Sequence, residues 1–265
     1  MDTRFWGPSG WKLLHLITFS KEAQNPVALH KFFTLLPYVL PCKFCRASLS
    51  DYYAVDPVPR KAPAFKHWLY RIHNRVNGKL RDQHLLKEKD PEWSAIQTQY
   101  NAMIDCSEQR FVGWDFLYSV VHTTPGPYTP STPMPSAPPL EVLTTPDLRN
   151  RWNLMSRDER LPLLTRWWQL LPQVLPYKSW RSAWASAKKQ PALTMPKRAI
   201  TAWLFSVEQH FCKTLQVKAR HASLSNVCCE LRTFASGCSS KKTRKTKTCR
   251  SKTLKRLNLL RRVAA

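Results

Sequence analysis

Six glycines in 265 residues is very few, and none stands in a Gly-x-Gly-x-x-Gly or Gly-x-x-x-x-Gly-Lys-Ser/Thr arrangement. A nucleotide cofactor, if one is used, is not held by a Rossmann or P-loop turn. No apolar run reaches the roughly 18 residues that mark a membrane-spanning helix, and Met1-Asp2-Thr3-Arg4 is not followed by the apolar core of an export signal. The expectation is a soluble chain without membrane insertion or a cleaved leader. The eight cysteines are too few and too unevenly spaced for a secreted disulfide scaffold, so a Cys-x-x-Cys among them reads as redox-active or metal-binding. Acidic residues are also scarce, 17 against 42 Lys and Arg for a net charge of +25, and none occurs from Leu231 to Ala265. That end carries Lys241, Lys242, Arg244, Lys245, Lys247, Arg250, Lys252, Lys255, Arg256, Arg261 and Arg262. Much of the charge is therefore a tail property, and such a block attracts nucleic acid or anionic surfaces without sequence preference.

What is present is apolar and aromatic residue enough for a real core, in patterns of helical period. The spacing predicts helices over Gly10–Ile17, Pro26–Leu40, a stretch from Pro41, Ala64 to about Leu80, and Glu92–Val121. Asp56–Pro63, with three prolines, is a loop. Thr123–Pro146 holds eight prolines and no Lys or Arg, the composition of a semi-rigid linker. Within the helices, Pro41-Cys42-Lys43-Phe44-Cys45 sets two thiols at a helix start, where the positive helix end favours a thiolate. Some thirty residues on, His73-Asn74-Arg75-Val76-Asn77 offers an imidazole and amides on one face. Half of a zinc site is the competing reading of Cys42 and Cys45, but no second Cys pair or His pair follows at finger spacing, and no metal is expected.

The chain also matches itself. Leu29–Arg46 aligns with Leu164–Arg181 through Leu-Leu-Pro-x-Val-Leu-Pro, Trp68-Leu69 aligns with Trp203-Leu204, and Gly10–His15 can be laid on Arg151–Ser156 with a shorter loop. This predicts duplication of a whole helical unit rather than a short repeat. In the second copy Cys42 and Cys45 become Tyr177 and Trp180, His15 becomes Ser156, and His73, Asn74 and Asn77 become Glu208, Gln209 and Cys212. Packing positions stay apolar while every polar position of interest changes, which ties the Trp11/His15 helix, the dithiol and the His73 helix into one site.

Trp6-Gly7…Trp11-Lys12-Leu13-Leu14-His15, Pro41–Cys45 and Trp68…His73–Leu80 together resemble the Erv/ALR family of FAD-dependent sulfhydryl oxidases over about residues 4 to 121, and the basic tail and second domain are most similar to versions from large DNA viruses. The resemblance implies an all-α fold: a four-helix bundle with a short fifth helix in 1–122, a Pro/Thr-rich linker in 123–146, a degenerate copy in 147–232 and a basic tail in 233–265. It implies FAD as cofactor, with Cys42 exchanging disulfides with substrate and Cys45 passing electrons to the flavin. Gly7, Trp11, His15, His73, Asn74, Val76, Asn77 and Lys79 would line the cofactor, with Trp93 or Tyr100 closing the pocket. Dioxygen would be reduced to hydrogen peroxide. The partners implied are a thiol-bearing protein, such as a thioredoxin-like carrier, and a second copy of the chain in a homodimer, in host cytoplasm, a viral factory or a virion.

There are departures. Many relatives have Arg where Pro8 stands, and the usual structural disulfide lacks both cysteines, at Tyr70 and Lys87. Cys106 reads as a structural thiol. Cys238 and Cys249 have the reach of a shuttle pair, whereas adjacent Cys228 and Cys229 could form only a strained disulfide. The contrasting reading is a helical scaffold with a basic, nucleic-acid- or virion-binding tail and an incidental dithiol.

Overall fold

A computed structural model describes residues 1–22, 25–106, 110–126 and 133–235. The tail beyond Ala235, with Cys238 and Cys249, lies outside the described residues. Within them every regular element is a helix: α1 (Thr3–Phe19), α2 (Pro26–Val39), α3 (Lys43–Val55), α4 (Phe65–Asp82), α5 (Trp93–Asp105), α6 (Trp114–Thr123), α7 (Pro146–Arg151), α8 (Arg157–Val174), α9 (Lys178–Ser186), α10 (Lys197–Leu215) and α11 (Leu224–Thr233). Short 3-10 turns occupy Ala62–Ala64 and Leu140–Val142. No described helix is long and apolar enough to cross a membrane.

Local sequence explains where these helices begin. Asp2 caps α1 by accepting from the Arg4 amide, Asn25 caps α2 ahead of Pro26, and Ser156 with Glu159 forms a reciprocal capping box on α8. Each satisfies amides that the first turn leaves without partners. Cys42 is the N-cap of α3, so Pro41 lies before the cap and not, as the sequence suggested, inside the first turn.

Packing is reciprocal. α1 lies on α4 and α5, and α6 lies on α10 and α11; α2 packs on α3, and α8 on α9. The two sets meet along α1 against α6 and α2 against α8. Phe32 stacks on Trp167 with ring centroids 5.1 Å apart across the second seam. At the first seam a Cβ on Gly10 would stand 3.2 Å from the Phe116 ring, and one on Gly113 would stand 2.5 Å from Leu13 Cδ2. Glycine is therefore what lets α1 and α6 approach. Equivalent hydrogen bonds recur in the aligned stretches: Arg46 Nη1 donates to Leu40 O at 3.0 Å and Arg181 Nη1 to Leu175 O at 2.7 Å. Trp68 and Trp203 each donate the indole N–H to a carbonyl of the preceding loop. Trp68, Trp167, Trp168 and Trp180 are all essentially excluded from solvent and belong to one continuous apolar core, in which each large side chain contributes about 2 kcal/mol or more by burial.

Three expectations change. The predicted helix Glu92–Val121 is two helices, α5 and α6, with Gly113 as the N-cap of the second. Arg151–Ser156 is the end of α7 and a turn, not a counterpart of the Gly10–His15 helix. The segment that faces α1 is instead Gly113-Trp114-Asp115-Phe116-Leu117-Tyr118, whose Gly-Trp-x-x-Leu spacing repeats Gly10-Trp11-x-x-Leu14. Met134, in the part of the proline-rich stretch that is described, packs on Phe44 and Ala47 of the dithiol helix, and its amide donates to Trp152 O at 2.9 Å.

Candidate functional site

The site is built where α1, α3 and α4 converge. Cys42 caps α3, and its carbonyl accepts from the amides of Cys45 at 3.1 Å and Arg46 at 3.0 Å, so one helical turn brings the two thiols to the same place. Both are half-buried, and neither is in a disulfide. A hydrogen bond from Cys45 lowers the Cys42 pKa to about 6 against the opposing effect of burial, with further help from the Cys45 amide and the Arg46 charge. Cys42 is thus poised as a thiolate near neutral pH.

Beside the thiols opens a cavity of about 1170 Å³, somewhat above the usual ligand-pocket range. Cys42, Cys45, Gly7, Trp11, His73, Val76, Asn77, Lys79 and Tyr100 all line it. His73 stacks on Trp11 at 3.9 Å between centroids, nearly parallel, and its Nδ1 lies 3.1 Å from His15 Nε2. Tyr100 stacks on the other side of His15 at 4.8 Å. His15 itself stands behind this wall, and its Nδ1 is buried without a hydrogen-bond partner. Asn74 and Trp93 do not line the cavity; Trp93 packs on Phe19, His67 and Tyr70. Of the two aromatics considered for closing the pocket, Tyr100 is the one at it. In place of the missing disulfide, Tyr70 donates to Pro91 O, and Asp90 accepts from both Asn77 and Arg81, tying the loop before α5 to α4. Lys79 Nζ donates to Ser48 Oγ at 2.5 Å across to α3.

Burial lowers the His15 pKa to about 3, with a smaller push from His73, and lowers that of His73 to about 4 although Asp90 opposes it. Both imidazoles are neutral at pH 7, as a pair sharing one N–H···N bond requires. The unfolded chain binds these protons near pH 6.5 and the native state does not, so stability must fall as pH drops from about 6.5 toward 4. Urea unfolding at pH 7 and pH 5 should show this loss, and His15→Phe should make the pH dependence shallower by close to one proton. An unchanged dependence would mean that His15 is not a buried neutral base.

The second set of helices carries a different cluster at the corresponding place. Buried Glu208 of α10 accepts from Tyr118 Oη of α6 at 2.7 Å and from the amide of His221 at 2.8 Å, and lies 2.9 Å from His221 Nδ1. In the spacing Gly113-Trp114-x-x-Leu117-Tyr118, Tyr118 stands where His15 stands in Gly10-Trp11-x-x-Leu14-His15, and Ser156 caps α8. Asp115, His221 and Glu230 also converge within metal-ligand distance, but Arg220 pairs with both carboxylates and supplies the positive charge. This cluster was missed in sequence because His221 lies in the loop after α10, with no spacing that links it to Glu208 and Tyr118. Cys106 and Cys229 are exposed, Cys212 and Cys228 are half-buried, and none of the four lines the dithiol cavity.

Residues 8–101 match the model of the Erv1 / Alr family. That stretch covers Trp11, His15, both thiols, the His73 helix and Tyr100, and ends before α6. Searches of curated proteins and of solved structures gave no match. Erv1 / Alr proteins are FAD-linked sulfhydryl oxidases, and the Erv1 / Alr-like segment has the features such a cofactor needs. It offers a cavity of ligand size, a stacked indole–imidazole wall, a lysine at the wall and a dithiol in the same space.

Proposed function

We propose that the protein is an FAD-dependent sulfhydryl oxidase that forms disulfides in thiol-bearing proteins. The observation that carries this reading is the single cavity shared by the Cys42–Cys45 pair and the Trp11/His73/Tyr100 wall, within a segment similar to the Erv1 / Alr family. Trp11, His73, Val76, Asn77 and Tyr100 would hold the flavin portion and Lys79 a phosphate, with Gly7 at the rim. When bound, FAD supplies two-electron acceptance from the dithiol and reduction of dioxygen to hydrogen peroxide.

The chain's own part is thiol–disulfide exchange. A substrate thiolate attacks Sγ of Cys42 in the Cys42–Cys45 disulfide, the S–S bond breaks, and Cys45 leaves as a thiolate. The second substrate thiolate then attacks the substrate sulfur of the mixed disulfide and expels Cys42. The substrate loses two electrons and two protons and the pair gains the electrons. A Cys42 thiol with lowered pKa is a good leaving group in that second step.

The second set of helices serves as a degenerate copy that replaces a partner subunit. α6 with α8–α11 corresponds to α1–α5, and the Pro/Thr stretch is inserted within this copy, after α6, rather than between the two. Because α8 covers α2 within the same chain, a homodimer formed through that face is not available, and any self-association must use another surface. The test is the visible spectrum of the purified protein before and after dithiothreitol under air, with oxygen uptake recorded alongside. A flavin band near ~450 nm that bleaches with thiol and consumes oxygen supports the oxidase. A colourless protein that stays inactive with added FAD leaves a helical scaffold as the better account.

A further inference from the structure

The dithiol end of the cavity carries two buried guanidiniums but, among the described residues, no carboxylate paired with them; the one negative group facing Arg46 is the thiolate of the dithiol. Arg46, next to Cys45 on α3, is 6% exposed, and Arg160 on α8 is 9% exposed. Arg46 donates to Leu40 O and, through Nη2, to Asn153 Oδ1 at 2.6 Å; Arg160 Nε donates to Tyr38 O at 2.9 Å. Both guanidiniums therefore sit at the C-terminal end of α2, where the helix dipole favours cations. That explains one cation better than two. Each also keeps a buried N–H without a partner, Arg46 Nε and Arg160 Nη2, and among the described residues no carboxylate pairs with either. Burial pushes both pKa values down, and Arg46 lowers that of Arg160 further, as two close like charges must. Both line the same cavity as Cys42, together with Arg157 and Lys43.

The aligned half supplies the control. Arg181 makes the same bond to the end of α8 that Arg46 makes to the end of α2, but its other side is paired with the Glu22 carboxylate. Asn153 takes for Arg46 the place that Glu22 takes for Arg181. The position aligned with Arg160 is Asn25, a helix cap. So where the dithiol is absent the arginine is half-exposed and paired with a carboxylate, and where the dithiol is present the arginine is buried, meets an amide and the two sulfurs instead of a carboxylate, and is joined by a second buried arginine.

We propose that Arg46 and Arg160 form an anion subsite beside Cys42 that takes the carboxylate of a thiol substrate. As a substrate site it rests on the oxidase reading; as an anion site next to a reactive thiol it does not. A carboxylate there gains charge-assisted hydrogen bonds in a water-poor space, and a neutral thiol gains none. The subsite thus selects acidic thiols, either small ones bearing their own carboxylate or cysteines flanked by Glu or Asp in a protein.

Two variants of the full chain test it. Arg160→Gln removes one charge and keeps a donor for Tyr38 O. Asn153→Asp is isosteric, gives Arg46 the counter-ion that Arg181 has, and keeps a residue type that tolerates the left-handed backbone at φ 59°. The first readout is alkylation of Cys42 in the reduced protein, located by mass spectrometry, with iodoacetate against iodoacetamide; the ratio of the two rates cancels any change in thiolate fraction. Both variants should lower that ratio by about ten-fold, the size of one lost charge-assisted contact. The second readout is oxidation of reduced glutathione, of a Glu-flanked dicysteine peptide and of its Gln-flanked counterpart, against neutral dithiothreitol. KM should rise for whichever acidic thiol the site serves, with flavin per chain unchanged in both variants and dithiothreitol turnover unchanged in Arg160→Gln; in Asn153→Asp, where the new carboxylate also weakens the Arg46 support of the Cys42 thiolate, the loss on dithiothreitol should be smaller than the loss on the acidic thiol. An unaltered alkylation ratio overturns the proposal, as does equal loss on dithiothreitol and acidic thiols. Release of flavin from Arg160→Gln also overturns it, by assigning the arginines to cofactor phosphates. Wild-type protein that fails on dithiothreitol under air sinks the oxidase reading alone, because the alkylation ratio still decides the subsite.

Discussion

If the protein is the proposed oxidase, Cys45→Ser should abolish thiol-dependent oxygen uptake, by on the order of a thousand-fold or more, with flavin content and fold kept. The reason is geometric. Cys42 and Cys45 are joined by one helical turn and open on the cavity walled by Trp11, His73 and Tyr100, whereas Cys106, Cys212, Cys228 and Cys229 do not line that cavity. Exchange at Cys42 requires a second sulfur to be expelled and later to re-form the disulfide, and among the described residues only Cys45 shares its cavity. Loss of one member of a unit that acts together costs nearly the whole rate. Oxygen electrode traces of wild type, Cys45→Ser and the exposed-thiol control Cys106→Ser decide the matter. Retention of a tenth or more of the rate in Cys45→Ser would remove the dithiol from the electron path.

Glu208→Ala costs about 3–5 kcal/mol of folding stability, the range for removing one partner of a buried ion pair. Glu208 is fully buried and accepts from Tyr118 and from both the backbone and, in its protonated form, the ring of His221. Its loss leaves all three without their acceptor. The pH dependence gives a second check. Burial alone would lower the His221 pKa, but the Glu208 hydrogen bond and charge raise it above the ordinary value. A raised folded-state pKa gives stabilisation that is full below about pH 6.5 and fades as pH rises through the folded value. That is the reverse of the His15/His73 pair. Urea midpoints across pH 6 to 9 should fall in wild type and flatten in Glu208→Ala; a loss below 1 kcal/mol would mean that the cluster is hydrated rather than buried.

The helical class, the dithiol and the His73 face were legible because each rests on local order: apolar residues three and four apart, Cys-x-x-Cys at a helix start, His-Asn-x-x-Asn one turn long. What sequence did not yield was anything set by long-range packing. α6 read as the end of one long helix because no proline divides Glu92–Val121, and only the approach of Gly113 to Leu13 reveals it as a separate partner of α1. Ser156 was matched with His15 on a short alignment, but it is the N-cap of α8 and not part of a helix like α1. Trp93 and Tyr100 both lie on α5 and no spacing rule separates them; stacking on His15 does. The Arg46–Arg160 pair joins residues from α3 and α8 that nothing in the linear order connects.

The reciprocal seam, Gly10 under Phe116 and Gly113 under Leu13, lies within a single polypeptide. Its formation is therefore unimolecular, and dilution cannot undo it. Two identical subunits joined at such a seam would come apart at low concentration and would have to change together, since any substitution appears on both sides at once. Here each side varies independently. One side holds the dithiol and the neutral imidazoles, and the other fills its interior with Tyr177, Trp180 and a buried glutamate, so that the half without the dithiol can act as a permanent buttress for the half that has it.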